Sequence, residues 1–311
     1  MQIIRYTVEL QETWDAFIDC SKNGTFLLKR GYMDYHSDRF EDFSLLFYQN
    51  DKLIALLPAN RSGEVLYSHQ GLTYGGLLLS RETTAVQVLQ LFGELISFLA
   101  ENGMTKFIYK PIPYIYHNYP SEEDLYALFR NGAVLQKRLI SSVIDKNDAI
   151  PFSRIRNRHV RKAQGAGMIV CPAADYLPFW QVLSGRLLDK YGVSPVHSVE
   201  EITLLASRFP DNLRLFEARI GEEIVGGCVV FIMKDLVHIQ YSSATEKGME
   251  LGALDLLFDF VANIGFPEKR YIDIGTSNEE DGWVMNEKLM FRKETCGGRA
   301  VVYDTYELNI V

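Results

Sequence analysis

The pattern of apolar and polar positions is most regular between Leu213 and Gly275. It predicts three successive β-strands, at Leu213–Ile220, Glu223–Met233 and Leu236–Ala244. From Leu251 to Ile264, apolar residues recur at the i, i+3, i+4 and i+7 spacing of a helix that packs one face against a sheet. Gly265 favours the end of that helix, and Tyr271–Ile274 returns to the alternation of a strand. We therefore predict a sheet covered by a central helix.

The first half of the chain repeats this order of elements. Two apolar runs separated by a polar turn predict a hairpin at Phe43–Tyr48 and Lys52–Ala59, and Ala85–Ala100 has the pattern of an apolar helix before a strand at Lys106–Tyr109. The two sets lie roughly 160–170 residues apart, a separation that suits two domains. We predict an α+β protein with two similar domains, residues 1–148 and 149–311, each with a mixed, mostly antiparallel sheet and a central helix.

Composition and charge narrow the class of protein. The 311 residues are 47% hydrophobic and 23% charged, which is ordinary for a globular protein with a sizeable core. The net charge of −8 argues against general coating of nucleic acid, although a local basic patch can still bind phosphates. No apolar run reaches roughly 18 residues, and the N-terminus lacks the pattern of a signal peptide. We expect a cytoplasmic protein with no membrane insertion.

The sequence shows no motif for a metal or for a nucleotide-binding P-loop. Its four cysteines are far apart, and its six histidines never approach the spacing of paired metal ligands. No G-x-S-x-G nucleophile turn occurs either. We therefore expect no metal site.

The most basic segment of the chain lies just after the predicted domain boundary. On a helix its cations share one face, because they follow i, i+4, i+7 and i+8 spacing: Arg154, Arg158, Arg161 and Lys162. Such a face can bind an anion, or it can simply face water. The sequence leaves both interpretations open.

Three segments occur in the same order as the motifs of a known family. They are Arg156–Gly167, Ile272–Ser277 and Lys293–Gly298. The first resembles the R-x-x-x-R-K-A-x-x-x-G segment, the second the D-F-G strand and the third the F-K-x-x-F-G-G/A element of the Fem peptidoglycan aminoacyltransferases and their FemAB-like relatives. Tyr74–Gly76 in the first half is also similar to that family. Together these segments span most of the chain.

The resemblance implies a fold and a reaction. The family is built from two tandem GNAT-like (acyl-CoA N-acyltransferase) domains, which agrees with the repeat, and the C-terminal domain would be catalytic. The chain would be an N-acyltransferase that moves an acyl or aminoacyl group from acyl-CoA or aminoacyl-tRNA to the amine of a small molecule, sugar or peptide. Cell-envelope or polysaccharide biosynthesis would be its setting. With tRNA as donor, the basic face would contact its phosphates.

The donor's phosphates would bind at the segment Ser243–Ala253, which leads into the central helix, because helix N-termini offer free N–H groups and a favourable dipole. Its small or basic members are the candidates: Ser243, Lys247, Gly248, Gly252 and Ala253. The segment lacks the Q/R-x-x-G-x-G/A motif of simple acetyl-CoA enzymes, so the glycines have an alternative role in capping and packing. The missing motif also favours a second hypothesis, a non-catalytic GNAT-fold ligand-binding protein.

Three residues are candidates for the chemistry. By the resemblance, Lys293 would meet the phosphate or reacting ester of the donor, at the end of a last helix Trp283–Lys293. Asp273 can orient the acceptor amine or take its proton, or it can cap a turn. Tyr241 can donate a proton to the leaving group, or it can be a buried core tyrosine.

Overall fold

The structure is a computed structural model that describes residues 1–310. The chain divides into two compact units. Among the described residues, unit 1 comprises residues 1–140, 278–284 and 302–310, and unit 2 comprises residues 141–277 and 285–301. The domain boundary predicted at 148/149 lies eight residues beyond residue 140, where the first stretch of unit 1 ends, and the last strand belongs to unit 1 only from residue 302.

Unit 1 begins at the N-terminus and is rich in short strands. Its elements are β1 Gln2–Arg5, α1 Gln11–Cys20, α2 Arg30–Met33, β2 Glu41–Asp42, β3 Leu45–Gln49, β4 Lys52–Leu57, β5 Asn60–Ser62, β6 Val65–Tyr67, β7 Leu78–Leu79, α3 Ala85–Glu101, β8 Lys106–Tyr109, α4 Glu123–Arg130 and the start of β9 Val134–Asp145. Strands β1, β3, β4 and β7 form an antiparallel sheet. Strands β2, β5, β6 and β8 form a second ladder in which β6 and β8 run parallel.

Helix α3 is the central helix of unit 1. The Thr84 side chain accepts a hydrogen bond from the Gln87 backbone, and the Gln87 side chain accepts one from the Thr84 backbone N–H, so the first turn is closed by a capping box. The helix buries an apolar stripe against the strands, which includes Val88, Leu91 and Leu95. Burial of this stripe explains why the sequence pattern predicted the helix to within a residue or so at each end.

Unit 2 contains the stretch Leu213–Gly275, in which the pattern of apolar and polar positions is most regular. Its elements are α5 Arg154–Gly165, β10 Met168–Ala173, α6 Leu177–Tyr191, α7 Val199–Arg208, β11 Leu213–Ile220, β12 Glu223–Ile232, β13 Leu236–Ala244, α8 Glu246–Leu251, α9 Ala253–Asp259, a π-helical turn Phe260–Ile264, β14 Tyr271–Thr276 and α10 Glu287–Glu294. Three further strands lie wholly or partly in unit 1: β15 Asn278–Glu279, β16 Val284–Met285 and β17 Arg299–Asn309.

The sheet of unit 2 has the strand order β10, β11, β12, β13, β14 and the end of β9. All neighbours are antiparallel except β13 and β14, which are parallel. That parallel pairing covers only Leu236–His238 against Tyr271–Asp273. Since β13 continues to Ala244 and β14 to Thr276, the described strands part immediately after His238 and Asp273. A β-bulge in the pairing of β12 with β13 lies close to this point.

The predicted strands of unit 2 are confirmed, whereas its central helix differs from the prediction. One helix was expected over Leu251–Ile264, but α8 begins at Glu246 and Gly252 interrupts the path with a φ of +92°. A Cβ on Gly252 would lie 2.7 Å from the backbone oxygen of His159. Helix α5 therefore approaches so closely that only glycine fits, and the helix changes direction there.

The last helix also begins later than expected. It was predicted over Trp283–Lys293 but starts at Glu287, because the side chain of Asn286 accepts a hydrogen bond from the Leu289 backbone and caps it. Gly282, with a φ of +102°, adopts a backbone conformation that a helix does not use. Trp283 consequently lies outside the helix.

Substituting Gly248 tests how tightly α8 packs on the sheet. A Cβ at this buried position would come 1.9 Å from the Val225 backbone oxygen, so Gly248→Ala should lower the free energy of unfolding by about 1–3 kcal/mol or more. Gly93→Ala is the matched control, since Gly93 is an exposed residue of α3 with nothing within 4 Å of its added Cβ, and it should gain roughly 0.5–1 kcal/mol. Urea unfolding measures both changes. Equal effects would show that α8 is not packed as described.

Candidate active site

The point where β13 and β14 part carries a convergence of polar side chains. Gly275, with a φ of +84°, follows Asp273 on β14. A Cβ built there would lie 3.8 Å from Cε1 of His238 and 4.0 Å from Nζ of Lys293. The imidazole and the ammonium thus approach the same small volume over Gly275, which the absence of a side chain leaves open.

Asp273 is the anchor of this group. It has 0% of its surface exposed, and its carboxylate accepts hydrogen bonds from Ser141 Oγ at 2.5 Å and from the Gly275 backbone N–H at 2.9 Å. Nδ1 of His238 lies 2.8 Å from the other carboxylate oxygen. Because an ionised carboxylate only accepts, Nδ1 donates to it, and in the neutral form of the ring this leaves Nε2 as the acceptor nitrogen.

Lys293 reaches the same place from α10. Its Nζ donates to the backbone oxygens of Gly275 and Thr276, both at 2.7 Å, and the residue is only 6% exposed. Burial lowers the pKa of Lys293 to about 8, although the charge of Asp273 acts in the opposite direction. Two of the three N–H donors of the ammonium are therefore used by carbonyls.

Tyr241 lies further along β13. Its hydroxyl is 2.6 Å from Nδ1 of His197 and accepts a hydrogen bond from the His197 backbone at 3.3 Å, while its ring packs edge-on against Trp180. Burial raises the pKa of Tyr241, so the hydroxyl keeps its proton at neutral pH.

The segment predicted to bind the donor is folded rather than a loop. Ser243 is buried at the end of β13, opposite Gly227, and Lys247 forms a 2.5 Å ion pair with Glu223. Gly248 packs against the backbone of β12, as the short distance to Val225 shows. Gly252 and Ala253 connect α8 to α9, and Ala253 is completely buried. Close packing therefore accounts for both glycines.

The basic segment forms the helix that its spacing predicts. Ser153 caps α5, and Arg154, Arg158 and Arg161 are exposed, with no hydrogen bond or ion pair from their side chains to any residue in the range 1–310. Lys162 is also exposed, and its Nζ donates to the Glu250 backbone oxygen at 2.7 Å. These four cations constitute the basic face of unit 2.

The opposite face of α5 holds a buried ion pair. Arg156 donates to Oδ1 of Asp255 at 2.9 Å, and Nδ1 of His159 lies 3.0 Å from Oδ2 of the same residue. Asp255, in α9, is 4% exposed. The arginine that begins the Fem-like segment therefore attaches α5 to α9, a structural role that is separate from the basic face.

The sequence analysis did not predict two of the side chains that meet near Asp273 and Gly275. His238 lies within an apolar strand, and Ser141 lies at the start of the β9 portion that pairs with β14. Neither residue belongs to a recognised motif. Only the register of β13 against β14, which places His238 opposite Asp273, brings them together. In the described chain, no group of three or more His, Cys, Asp or Glu residues is placed to bind a metal.

Comparison with solved structures identifies the fold. FemX superposes with a TM-score of 0.71 at 9% identity, over 99% of this chain and 97% of that one. L-PGS from Bacillus licheniformis gives 0.63 at 12% identity, over 95% and 90%. A tandem GNAT protein from the clavulanic acid biosynthesis pathway gives 0.52 at 11% identity, over 100% and 98%. The sequence matches no protein-family model and no curated protein.

The chain has the FemAB-like fold of two tandem GNAT domains. The predicted fold class is therefore confirmed. At 9–12% identity these likenesses establish the fold alone. No helix within residues 1–310 is long and apolar enough to cross a membrane.

The pH dependence of stability tests the burial of Lys293. Its pKa of about 8 lies below the unfolded value of 10.5, so the folded protein releases the proton first as the pH rises. The free energy of unfolding, relative to Lys293→Met, should therefore increase between about pH 8 and 10.5, by up to about 3 kcal/mol. Urea unfolding across that range measures the difference. The difference between the wild type and Lys288→Met, at an exposed position of the same helix, should show no such trend. A difference between the wild type and Lys293→Met that does not change with pH would contradict the assignment.

Proposed function

We propose that the protein is an N-acyltransferase that moves an acyl or aminoacyl group from a phosphate-bearing donor, acyl-CoA or aminoacyl-tRNA, to an amine. The observation that carries this proposal is the convergence of the Asp273–His238 pair and Lys293 over Gly275, where β13 and β14 part. Such a transfer needs a base that makes the amine neutral and a cation that stabilises the oxyanion. It also needs room for the acyl chain, which the gap between the two strands can supply.

His238 is the proposed general base. An acceptor amine is protonated at neutral pH and has to lose a proton before it attacks, and Nε2 is the basic nitrogen of the ring. Asp273 holds Nδ1 and stabilises the imidazolium that forms. Since the carboxylate is completely buried, we assign it a positioning role through His238 rather than direct contact with the amine.

Lys293 is the proposed electrophilic group. When the amine nitrogen attacks the carbonyl carbon of the thioester or ester, a C–N bond forms and negative charge develops on oxygen. The third N–H of Lys293 can donate to that oxygen or to the leaving group, while its other two remain on Gly275 and Thr276. The tetrahedral intermediate then collapses, the C–S or C–O bond breaks, and the thiol or hydroxyl takes a proton.

Tyr241 is proposed as a second source of that proton. Its raised pKa keeps the hydroxyl protonated, and its contact with His197 fixes the hydroxyl position on β13. This role is supported by its place on the strand that parts from β14.

The donor's phosphates are proposed to bind at the basic face of α5 and at the neighbouring segment Ser243–Ala253. Arg154, Arg158 and Arg161 keep their charges in water without a carboxylate partner, which suits a polyanion. In Ser243–Ala253 we propose contacts through the backbone, because Lys247 is paired with Glu223 and the glycines pack closely. Acyl-CoA and aminoacyl-tRNA both carry phosphates that this face can bind. Because a tRNA presents many more phosphates, the salt dependence of binding distinguishes the two donors.

Donor binding is tested by thermal shift with acetyl-CoA, longer acyl-CoAs and aminoacyl-tRNA, since a ligand of the native state raises the apparent melting temperature. If tRNA is the donor, log Kd should depend steeply on log salt, and Arg158→Glu should weaken binding and reduce the slope by about 1. Arg130→Glu, an exposed arginine of α4, is the matched charge control and should change neither. A coenzyme A shift that is insensitive to salt would exclude tRNA. The absence of a shift with every donor would favour the non-catalytic alternative.

The base assignment is tested with the donor that gives the largest shift and a panel of amines. His238→Gln should lower the transfer rate by about 10²–10⁴-fold while leaving the donor shift intact. Asp273→Asn should also lower the transfer rate, because a neutral amide stabilises the imidazolium that forms less well than a carboxylate does. Ser141→Ala, which leaves the Asp273–His238 contact in place, should cost less than either change. Full activity of His238→Gln would refute this mechanism.

A further inference from the structure

A cavity in unit 1 lies apart from all the residues assigned above. Its volume is about 410 Å³, within the range of roughly 300–1,000 Å³ that is typical of sites for small ligands. Leu135 and Ile140 contribute apolar surface, and Gln136, Arg138 and Asp281 contribute polar groups. Trp283 completes the lining. An aromatic ring beside hydrogen-bonding side chains is a common composition for a binding site.

Trp283 is the unusual member of this cavity. It is 86% exposed, whereas Trp14 and Trp180 are 0% and 5% exposed. A large apolar ring in water gains nothing for folding, because the hydrophobic effect favours its burial. The exposure of Trp283 is therefore not explained by a contribution of its ring to the stability of the fold.

The backbone before Trp283 is held in an unfavourable conformation. Glu280, Asp281 and Gly282 have successive φ values of +47°, +53° and +102°. The Asn278 side chain fixes this turn, since it accepts a hydrogen bond from the Ile140 backbone at 2.6 Å and donates one to the Gly282 oxygen at 3.1 Å. A turn that is both strained and tied in place is typical of a functional site.

The charges around the cavity are already balanced. Lys137 is paired with Asp281 at 2.7 Å, and the guanidinium of Arg138 makes two hydrogen bonds to Asp304, at 2.7 and 2.8 Å. An anionic ligand such as a phosphate or a nucleotide therefore finds no uncompensated cation. A neutral ligand that both donates and accepts hydrogen bonds finds ammonium, guanidinium, amide and carboxylate groups side by side.

We propose that this cavity binds a pyranose ring of an uncharged saccharide. The C–H face of the sugar stacks on the indole of Trp283, because these hydrogens carry a partial positive charge and the face of the ring is negative. Its hydroxyls, each a donor and an acceptor, bind Gln136, Arg138 and Asp281. This site goes beyond the proposed acyl transfer, since none of its residues takes part in that mechanism.

Intrinsic fluorescence gives a direct test, because Trp283 is the only exposed tryptophan among the three of the chain. The full chain is titrated with glucose, N-acetylglucosamine and N,N′-diacetylchitobiose, and in parallel with adenosine and AMP. A sugar should shift the emission to shorter wavelength and protect Trp283 from quenching by acrylamide. Protection by adenosine or AMP with none by the sugars would overturn the proposal. So would protection that depends on protein concentration alone, which would indicate a contact between copies of the chain.

Variants separate stacking from general effects on folding. By calorimetry with the sugar that binds best, Trp283→Ala should weaken binding by about 10-fold or more, and Trp283→Phe should weaken it less. Phe129→Ala, which removes an exposed ring elsewhere in unit 1, is the matched control and should bind normally. Gly282→Ala should also weaken binding, because its Cβ would lie 2.6 Å from the Arg138 backbone oxygen. Unchanged binding in Trp283→Ala would refute the site. The thermal shift that the donor causes should be unchanged in these variants, because the proposed donor site lies in unit 2. This measurement therefore separates a failure of the sugar site from a failure of the proposed acyl transfer.

Discussion

The buried carboxylate of Asp273 is the constraint around which unit 2 is arranged. An ionised group removed from water is tolerated only when it is hydrogen-bonded and paired. Ser141, His238 and the Gly275 backbone supply the hydrogen bonds, and Lys293 supplies an opposite charge nearby. These partners come from three strands and one helix, so satisfying one charge brings β9, β13, β14 and α10 to a common point.

Glycine permits the close approaches that this arrangement needs. Gly275 leaves open the volume between the imidazole and the ammonium, and Gly252 lets α5 lie against the turn between α8 and α9. Arg156 and His159 then reach Asp255 across that contact. The same helix that presents cations to water on one side is thus held by a buried carboxylate on the other.

Local pattern predicted the regular elements well. The strands β11, β12 and β13 and the helix α3 follow from apolar periodicity, because burial of one face or one stripe decides whether such segments fold as strand or helix. The break at Gly252 and the late start of α10 did not follow from it. The first is caused by the approach of α5, and the second by a cap at Asn286 whose effect depends on the unusual turn before it.

The sequence by itself determined the order of strands and helices, the repeated α+β architecture and the basic face of α5, because each depends on residues within a few positions of one another. Its Fem-like segments also pointed to Lys293 and Asp273. Only the tertiary structure decided what surrounds them. His238 and Asp273 are 35 positions apart, and Ser141 and Asp273 are 132 apart, so their meeting depends on strand register. Register is set by pairing between distant segments, and no local pattern of residues encodes it.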